Sequence, residues 1–227
     1  MDVSLEESFG RLRAGVRATI GVAVAGPGGV RSFGDWTTGV AWSTIKVPLA
    51  IAAVRAEPAL AGPLLTSVIT ESDNAASEAL WRLLGPPVDA ARHVRAVIED
   101  AGDSETAVES RRLRDGFTPF GQTQWPLVRQ AAFAARLPSV RGAGTVVELM
   151  HRVVAAQRWG LAARNFAAKG GWGPGLRGDY LVRQFGVVPT GSGDVGVALA
   201  AQAESFEAGV EIVGAIADWT ADHLAEQ

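Results

Sequence analysis

A serine and a lysine stand three positions apart in GVAWSTIKVPLA, residues 39–50, where Ser43 and Lys46 open an apolar stretch. On a helix, side chains at i and i+3 leave the same face with Cβ atoms about 5–6 Å apart. A serine hydroxyl is a weak nucleophile until a base takes its proton. A lysine serves as that base when burial or a neighbouring cation lowers its pKa. The apolar residues around Lys46 supply burial, at a cost to its charged form. S-x-x-K is nonetheless a short pattern, and it also fits a surface helix start whose lysine snorkels to water.

Two further clusters carry usable chemistry. In ITESDNAASEALW, Ser72-Asp73-Asn74 precedes a helix running through Ala79 and Trp81. Such residues cap helices, but a second hydroxyl and a carboxamide can also relay a proton and donate to a substrate amide. In FAAKGGWGPG, Lys169 ends an apolar strand and is followed by Gly170, Gly171 and Trp172. A lysine on a strand edge ordinarily discourages unwanted pairing. Two glycines beside it point to close approach of another backbone or a ligand. A strand of this kind can offer a cation to a carboxylate and an N–H to a developing oxyanion.

The elements that must position these groups read as follows. Ser4 and Glu7 match a capping box ahead of Phe9, Leu12 and Val16 at helical spacing. Thr19 to Ala25 reads as a buried strand, the Gly26–Gly29 stretch as a turn, and Val30 to Thr37 as its hairpin partner. From Ser43 to about Trp159 the pattern is mostly helical, cut at Pro58, Gly62-Pro63, Gly85-Pro86-Pro87 and Pro138. One long break, Gly102 to Pro126, has the length of a functional loop. Strands return at about Phe166–Trp172, Tyr180–Val188 and Val195–Gln202, and an amphipathic helix covers Phe206 to Leu224. Hairpin-length connections predict an antiparallel sheet with helices packed on it, built from both chain ends around a helical insert.

Composition narrows the partners. The 227 residues suit a single domain, and 48% hydrophobic with 20% charged residues is ordinary for a globular protein. A net charge of -3 without sign-biased runs argues against nucleic acid and anionic membranes. No cysteine is present, and His93, His151 and His223 have no companion at ligand spacing, so neither metal nor cofactor is expected. The first residues carry acids where a secretory leader needs positive charge, and no window has the length of a membrane span. As written, the sequence predicts a cytoplasmic protein, or a secreted or periplasmic one if a leader has been removed. GSGDVG, residues 191–196, lies between two strands and reads as a hairpin turn, not a dinucleotide loop. No G-x-S-x-G elbow occurs, which disfavours a histidine-triad hydrolase of the α/β type.

Taken in order, S-x-x-K after a hairpin, S-D-N in a helical insert and K-x-G on a late strand resemble the penicillin-recognising serine hydrolases. That superfamily comprises the serine β-lactamases and the D,D-peptidases, and the likeness is greatest to class A β-lactamases. It covers nearly the whole chain, and FGQTQWPLVRQAAFAARL, residues 120–137, is similar to the helix that follows their active-site loop. The resemblance implies an α+β fold with a five-stranded antiparallel sheet. The sheet lobe would span about 1–42 and 160–227, and the helical lobe about 43–159, in one domain, 1–227. It further implies Ser43 as the acylated nucleophile, Lys46 as its activator and Ser72 as the proton shuttle to the leaving nitrogen. Asn74 would bind the substrate amide, Lys169 and the Gly170–Gly171 backbone would face the substrate, and the N–H groups of Ser43 and Trp172 would form an oxyanion hole.

Three departures accompany the likeness. Ser72 follows Ser43 by only 29 positions, which shortens the helical lobe. Gly170 stands where the family has a hydroxyl residue that grips the substrate carboxylate. The single candidate for the glutamate that activates the deacylating water is Glu109, and Arg111, Arg112 and Arg114 beside it offer it an ion pair instead. The expected activity is that of a β-lactamase-like serine hydrolase acting on β-lactams, D-Ala-type peptides or related acyl substrates. A D,D-peptidase or esterase of the same fold, or a member that binds without catalysis, are the alternatives.

Overall fold

The computed structural model describes residues 3–224, and a five-stranded antiparallel sheet of order β2-β1-β5-β4-β3 runs through its centre. The chain enters with helix α1 (Val3–Ala14) and the hairpin β1 (Thr19–Gly26) and β2 (Gly29–Gly34). Helices α2 (Lys46–Ala56), α3 (Pro58–Thr66), α4 (Asn74–Leu83), α5 (Pro87–Asp100), α6 (Leu127–Arg136) and α7 (Gly144–Met150) follow. Strands β3 (Ala167–Pro174), β4 (Tyr180–Thr190) and β5 (Gly193–Ala203) complete the sheet, and α8 (Phe206–Leu224) closes the chain.

Strand alternation divides the interior into two cores. Val22, Val182, Val197 and Leu199 face α1 and α8, whereas Ala23, Phe185, Ala198 and Ala200 face the helical insert. The register puts Val22 opposite Leu199 and Ala198 opposite both Ala23 and Phe185, so each face stays uniform across strands. Small residues on the insert side let α6 lie almost on the sheet. A Cβ at Gly196 would stand 2.1 Å from the Ala131 carbonyl oxygen, so any side chain there would lift α6 away.

The elements differ from the sequence reading at their ends. Helix α1 already includes Ser4, whose side chain in the expected capping box lies outside the described residues. Strand β2 stops at Gly34, whose φ of 90° turns the chain so that Trp36 N donates back to the Ile20 carbonyl. The stretch expected as one helix from Phe120 is a short turn, Phe120–Gln122, then an extended Gln124–Pro126, then α6. Pro126 has no N–H to give a preceding turn, so a helix cannot run through it from Phe120. After Met150 the chain makes only two short 3₁₀ turns, Ala155–Gln157 and Gly160–Arg164, before β3.

The long segment 102–126 is a built loop. At its base the buried Asp103 carboxylate accepts from Thr106 N (3.0 Å), Thr106 Oγ1 and Trp125 Nε1 (3.2 Å), joining the start of the loop to its end. At its tip Arg114 Nη1 donates to the Pro174 carbonyl at 2.9 Å, tying the loop to the end of β3.

Candidate active site

Ser43 lies in a 3₁₀ turn, Trp42–Ile45, that runs directly into α2. Trp42 adopts φ of 50°, a left-handed conformation that costs a bulky residue free energy and persists only when its surroundings hold it. Those surroundings are identifiable. The Trp42 ring packs on Gly173, where a Cβ would come within 2.4 Å of it, and edge-on to Phe117 at 5.2 Å. Thr44 Oγ1 donates to the Ala41 carbonyl (2.6 Å) and accepts from Gln130 Nε2 of α6 (2.9 Å). Gln130 Oε1 in turn accepts from Arg183 Nη2 at 2.8 Å.

Arg183 is a fully buried bolt from β4. It donates to the carbonyls of Gly39, Val40 and Trp125, each at 3.0 Å, and lies over the Trp36 ring at 5.0 Å. No carboxylate pairs with it among the described residues, and burial lowers its pKa to about 9. One side chain thus fixes the segment entering the Ser43 turn, the end of the long loop and α6.

Lys46, one turn after Ser43, is 1% exposed. Its Nζ donates to the Ser72 carbonyl and, at 2.7 Å, to Asn74 Oδ1, and lies 3.3 Å from Ser72 Oγ. Burial pushes its pKa down to about 7, and the nearby Asp73 charge opposes that fall. Ser72 is placed by an unusual feature. Helix α3 widens into a π turn, Ser67–Glu71, and Ser72 leaves it with φ of 60°. Asp73 then caps α4 by accepting from Ala76 N at 2.6 Å.

Lys169 approaches from the other side, out of β3. It is fully buried, and its Nζ contacts Ser72 Oγ at 2.8 Å, Gly170 O at 3.0 Å and Gln157 Oε1 at 3.3 Å. Desolvation, and then repulsion from Lys46, hold its pKa well below the usual lysine range. The Ser72 hydroxyl therefore sits between two buried amines with no carboxylate bonded to either among the described residues. A hydroxyl held this way can accept from one amine and donate to the lone pair of the other once that amine is neutral.

The glycines of β3 are matched to what faces them. A Cβ at Gly171 would lie 2.8 Å from Ser43 N, so the bare backbone lets the strand press on the serine turn. Because β3 is an edge strand, its outward N–H groups have no strand partner there. A Cβ at Gly170 would lie 2.6 Å from the Trp159 ring, which fills the space of a side chain at that position. Trp172 points the same way, packing on Trp159 and Phe206 with ring centroids 6.2 and 5.4 Å apart. Its side chain therefore lies away from Ser43, and its backbone alone faces the serine turn.

Lys46, Ser72, Asn74 and Lys169 are thus joined by hydrogen bonds and Gly171 lies against Ser43 N, while Ser43 Oγ makes no hydrogen bond among the described residues. Glu109 is engaged otherwise. Its carboxylate takes Arg111 in a two-point pair at 2.9 and 3.0 Å and accepts from the Arg111 and Ser110 backbone N–H groups. The Arg111 hydrogen bond leads in lowering its pKa to about 2. Trp159 and Gln157 were not singled out by any sequence pattern. The glycine at 170 was the one hint that something else must fill that space. Among the described residues no cluster of three or more His, Asp or Glu side chains is arranged to hold a metal, and no helix is long and apolar enough to cross a membrane.

No family model matches this chain, and no curated sequence matches it significantly. Solved structures do. The TLA-3 extended-spectrum β-lactamase superposes with a TM-score of 0.79 at 14% identity, covering 97% of this chain and 98% of that one. A class A β-lactamase from Bacteroides cellulosilyticus gives 0.78 at 15% identity, with 99% and 98% covered. A β-lactamase from Sphaerobacter thermophilus gives 0.73 at 20% identity, again over 99% and 98%. The fold is that of the penicillin-recognising serine hydrolases. In this chain that fold is built with short helices and a glycine-rich β3, which brings the strand directly against the serine turn.

Proposed function

We propose that the protein is a β-lactamase-like serine hydrolase that forms an acyl-enzyme on Ser43. The observation supporting this is the Ser72 hydroxyl held between the amines of Lys46 and Lys169. Neutral Lys46 takes the Ser43 proton as the hydroxyl attacks an acyl carbon. The N–H groups of Ser43 and Trp172 hold the oxyanion. The proton passes through Ser72 to the leaving group as the scissile bond breaks. Asn74 uses Oδ1 on Lys46 and keeps its amide N–H for the substrate. Water then hydrolyses the ester.

The substrate is best read as an acyl compound that is not gripped through a carboxylate. Lys169 is fully buried and its amine already has three acceptors. Trp159 covers Gly170 where a carboxylate-binding hydroxyl would otherwise stand. With Glu109 committed to Arg111, we find no other candidate carboxylate among the described residues to activate the deacylating water, so the acyl-enzyme is long-lived. The test is time-resolved intact mass after mixing with 4-nitrophenyl butyrate or benzylpenicillin. An adduct on Ser43 that forms faster with the ester, persists for minutes and is absent in Ser43→Ala supports the reading. No adduct with either reagent would favour a protein of this fold that binds without catalysis. Fast turnover of penicillin would favour a β-lactamase proper.

A further inference from the structure

A cavity of about 420 Å³ opens beside Trp42, on the side away from the amines. Trp36, Trp42 and Leu181 form its apolar walls, and none of Ser43, Lys46, Ser72 or Lys169 lines it. Leu113 and Leu176, two of the most exposed leucines at 53% and 88%, stand at its mouth. Apolar residues left in water around a concavity of this size are characteristic of ligand sites.

Its polar groups point to one chemistry. Gln122 is 4% exposed and lines the cavity, and its Nε2 has no hydrogen-bond partner. Trp42 Nε1 is likewise buried without a partner. Both donors are shut off from the cavity, which leaves Arg114 as the charged group an occupant meets directly. Arg114 also lines the cavity, stacked on Phe117 at 4.5 Å and on Trp42 at 5.7 Å. Among the described residues its side chain makes one hydrogen bond, to the Pro174 carbonyl, and no carboxylate pairs with it. Asp179, on the β3–β4 turn beside Gly175, makes no ion pair with it. The lining therefore offers a cation, with no acid among the lining residues to satisfy it.

We propose that this cavity binds a small carboxylic acid with an apolar tail, at a site separate from the Ser43 cleft. An ionised carboxylate is acceptor-only and can take several N–H groups at once. Arg114 would hold the carboxylate, and the walls would take the tail. Because Trp42 carries the left-handed turn into Ser43, an occupant would also buttress the serine.

The probe is 4-(trifluoromethyl)phenylacetate observed by ¹⁹F NMR, with its carboxamide as the comparison. The acid should bind saturably, and the amide about tenfold more weakly, as expected for loss of a charge-assisted hydrogen bond. Arg114→Gln, checked for folding by thermal melting, should weaken the acid similarly, and Ser43→Ala should leave binding unchanged. Equal affinity for acid and amide in the wild-type protein would overturn the assignment. So would retention of binding in Arg114→Gln, loss of binding in Ser43→Ala, or no saturation at about 5 mM, an affinity too weak for a built site. Because Ser43→Ala is part of the design, the result does not depend on whether the serine is catalytic.

Discussion

If Lys46 is the base of the proposed acylation, replacing Asp73 with asparagine should make that acylation faster in acid. Asp73 is the one charge that opposes the fall of the Lys46 pKa, which burial brings from 10.5 to about 7. Asparagine keeps an oxygen to cap α4, where Asp73 accepts from Ala76 N, and removes only the charge. With a pKa of about 7, Lys46 is neutral in roughly one molecule in eleven at pH 6 and ten in eleven at pH 8. Acylation by 4-nitrophenyl butyrate should therefore rise about tenfold over that range and then level off. An unperturbed lysine would instead give about a hundredfold rise with no plateau. Because Lys46 and Lys169 share Ser72, the measured midpoint belongs to the pair. In Asp73→Asn the midpoint moves to lower pH, so the variant outpaces wild type at pH 6 and matches it at pH 8. The assay is the burst rate of 4-nitrophenolate against pH, with the acyl-enzyme confirmed by mass. A midpoint that stays put or rises in the variant, or a rate that falls with increasing pH, would refute Lys46 as the base.

Gly170→Thr alone should lower the melting temperature, because its side chain must enter the Trp159 ring, and overpacking of this kind costs about 1–3 kcal/mol. Combined with Trp159→Ala, and checked for folding by thermal melting, it should raise the second-order rate of penicillin acylation about tenfold, read by mass; an unchanged rate would show that the carboxylate is not what limits penicillins. Glu109→Gln should leave the acyl-enzyme lifetime unchanged, and a clear lengthening would show that Glu109 reaches a catalytic water. Arg183→Met should cost about 1–3 kcal/mol in urea unfolding, since it strands the carbonyls of Gly39, Val40 and Trp125, and should slow acylation more than a remote change of equal cost.

The strands were legible because alternation and glycine turns mark them locally: Thr19–Gly26 and Gly193–Ala203 each bury both faces and end at a turn. The fold's five strands and flanking helices followed from their order. The polar members of the site were legible as residue types, since a lysine inside an apolar helix and another before two glycines are out of place unless used. What could not be read depends on contacts distant in sequence. Trp159 meets Gly170 only because the 3₁₀ turns before β3 fold back over it. The widened turn that puts Ser72 at positive φ has no residue signature, as serine is not the residue expected there. The helix boundary at Leu127 slipped because the apolar residues Phe120 and Trp125 continue its pattern backwards past Pro126.

The strand order has a consequence for the nascent chain. The β1–β2 hairpin is made first, yet β1 finds its other neighbour in β5, and β3 and β4 must also be synthesised before Lys169 and Arg183 exist. While the first half emerges, nothing presses on the serine turn and nothing pins Gly39 and Val40. Lys46 is then an ordinary hydrated ammonium and Ser43 an ordinary alcohol. Pairings so distant along the chain form late, after the helical insert has had time to collapse. On the proposed function, nucleophilicity is thus withheld during synthesis and conferred by closure of the sheet, so a truncated or half-folded chain would not acylate itself on passing metabolites.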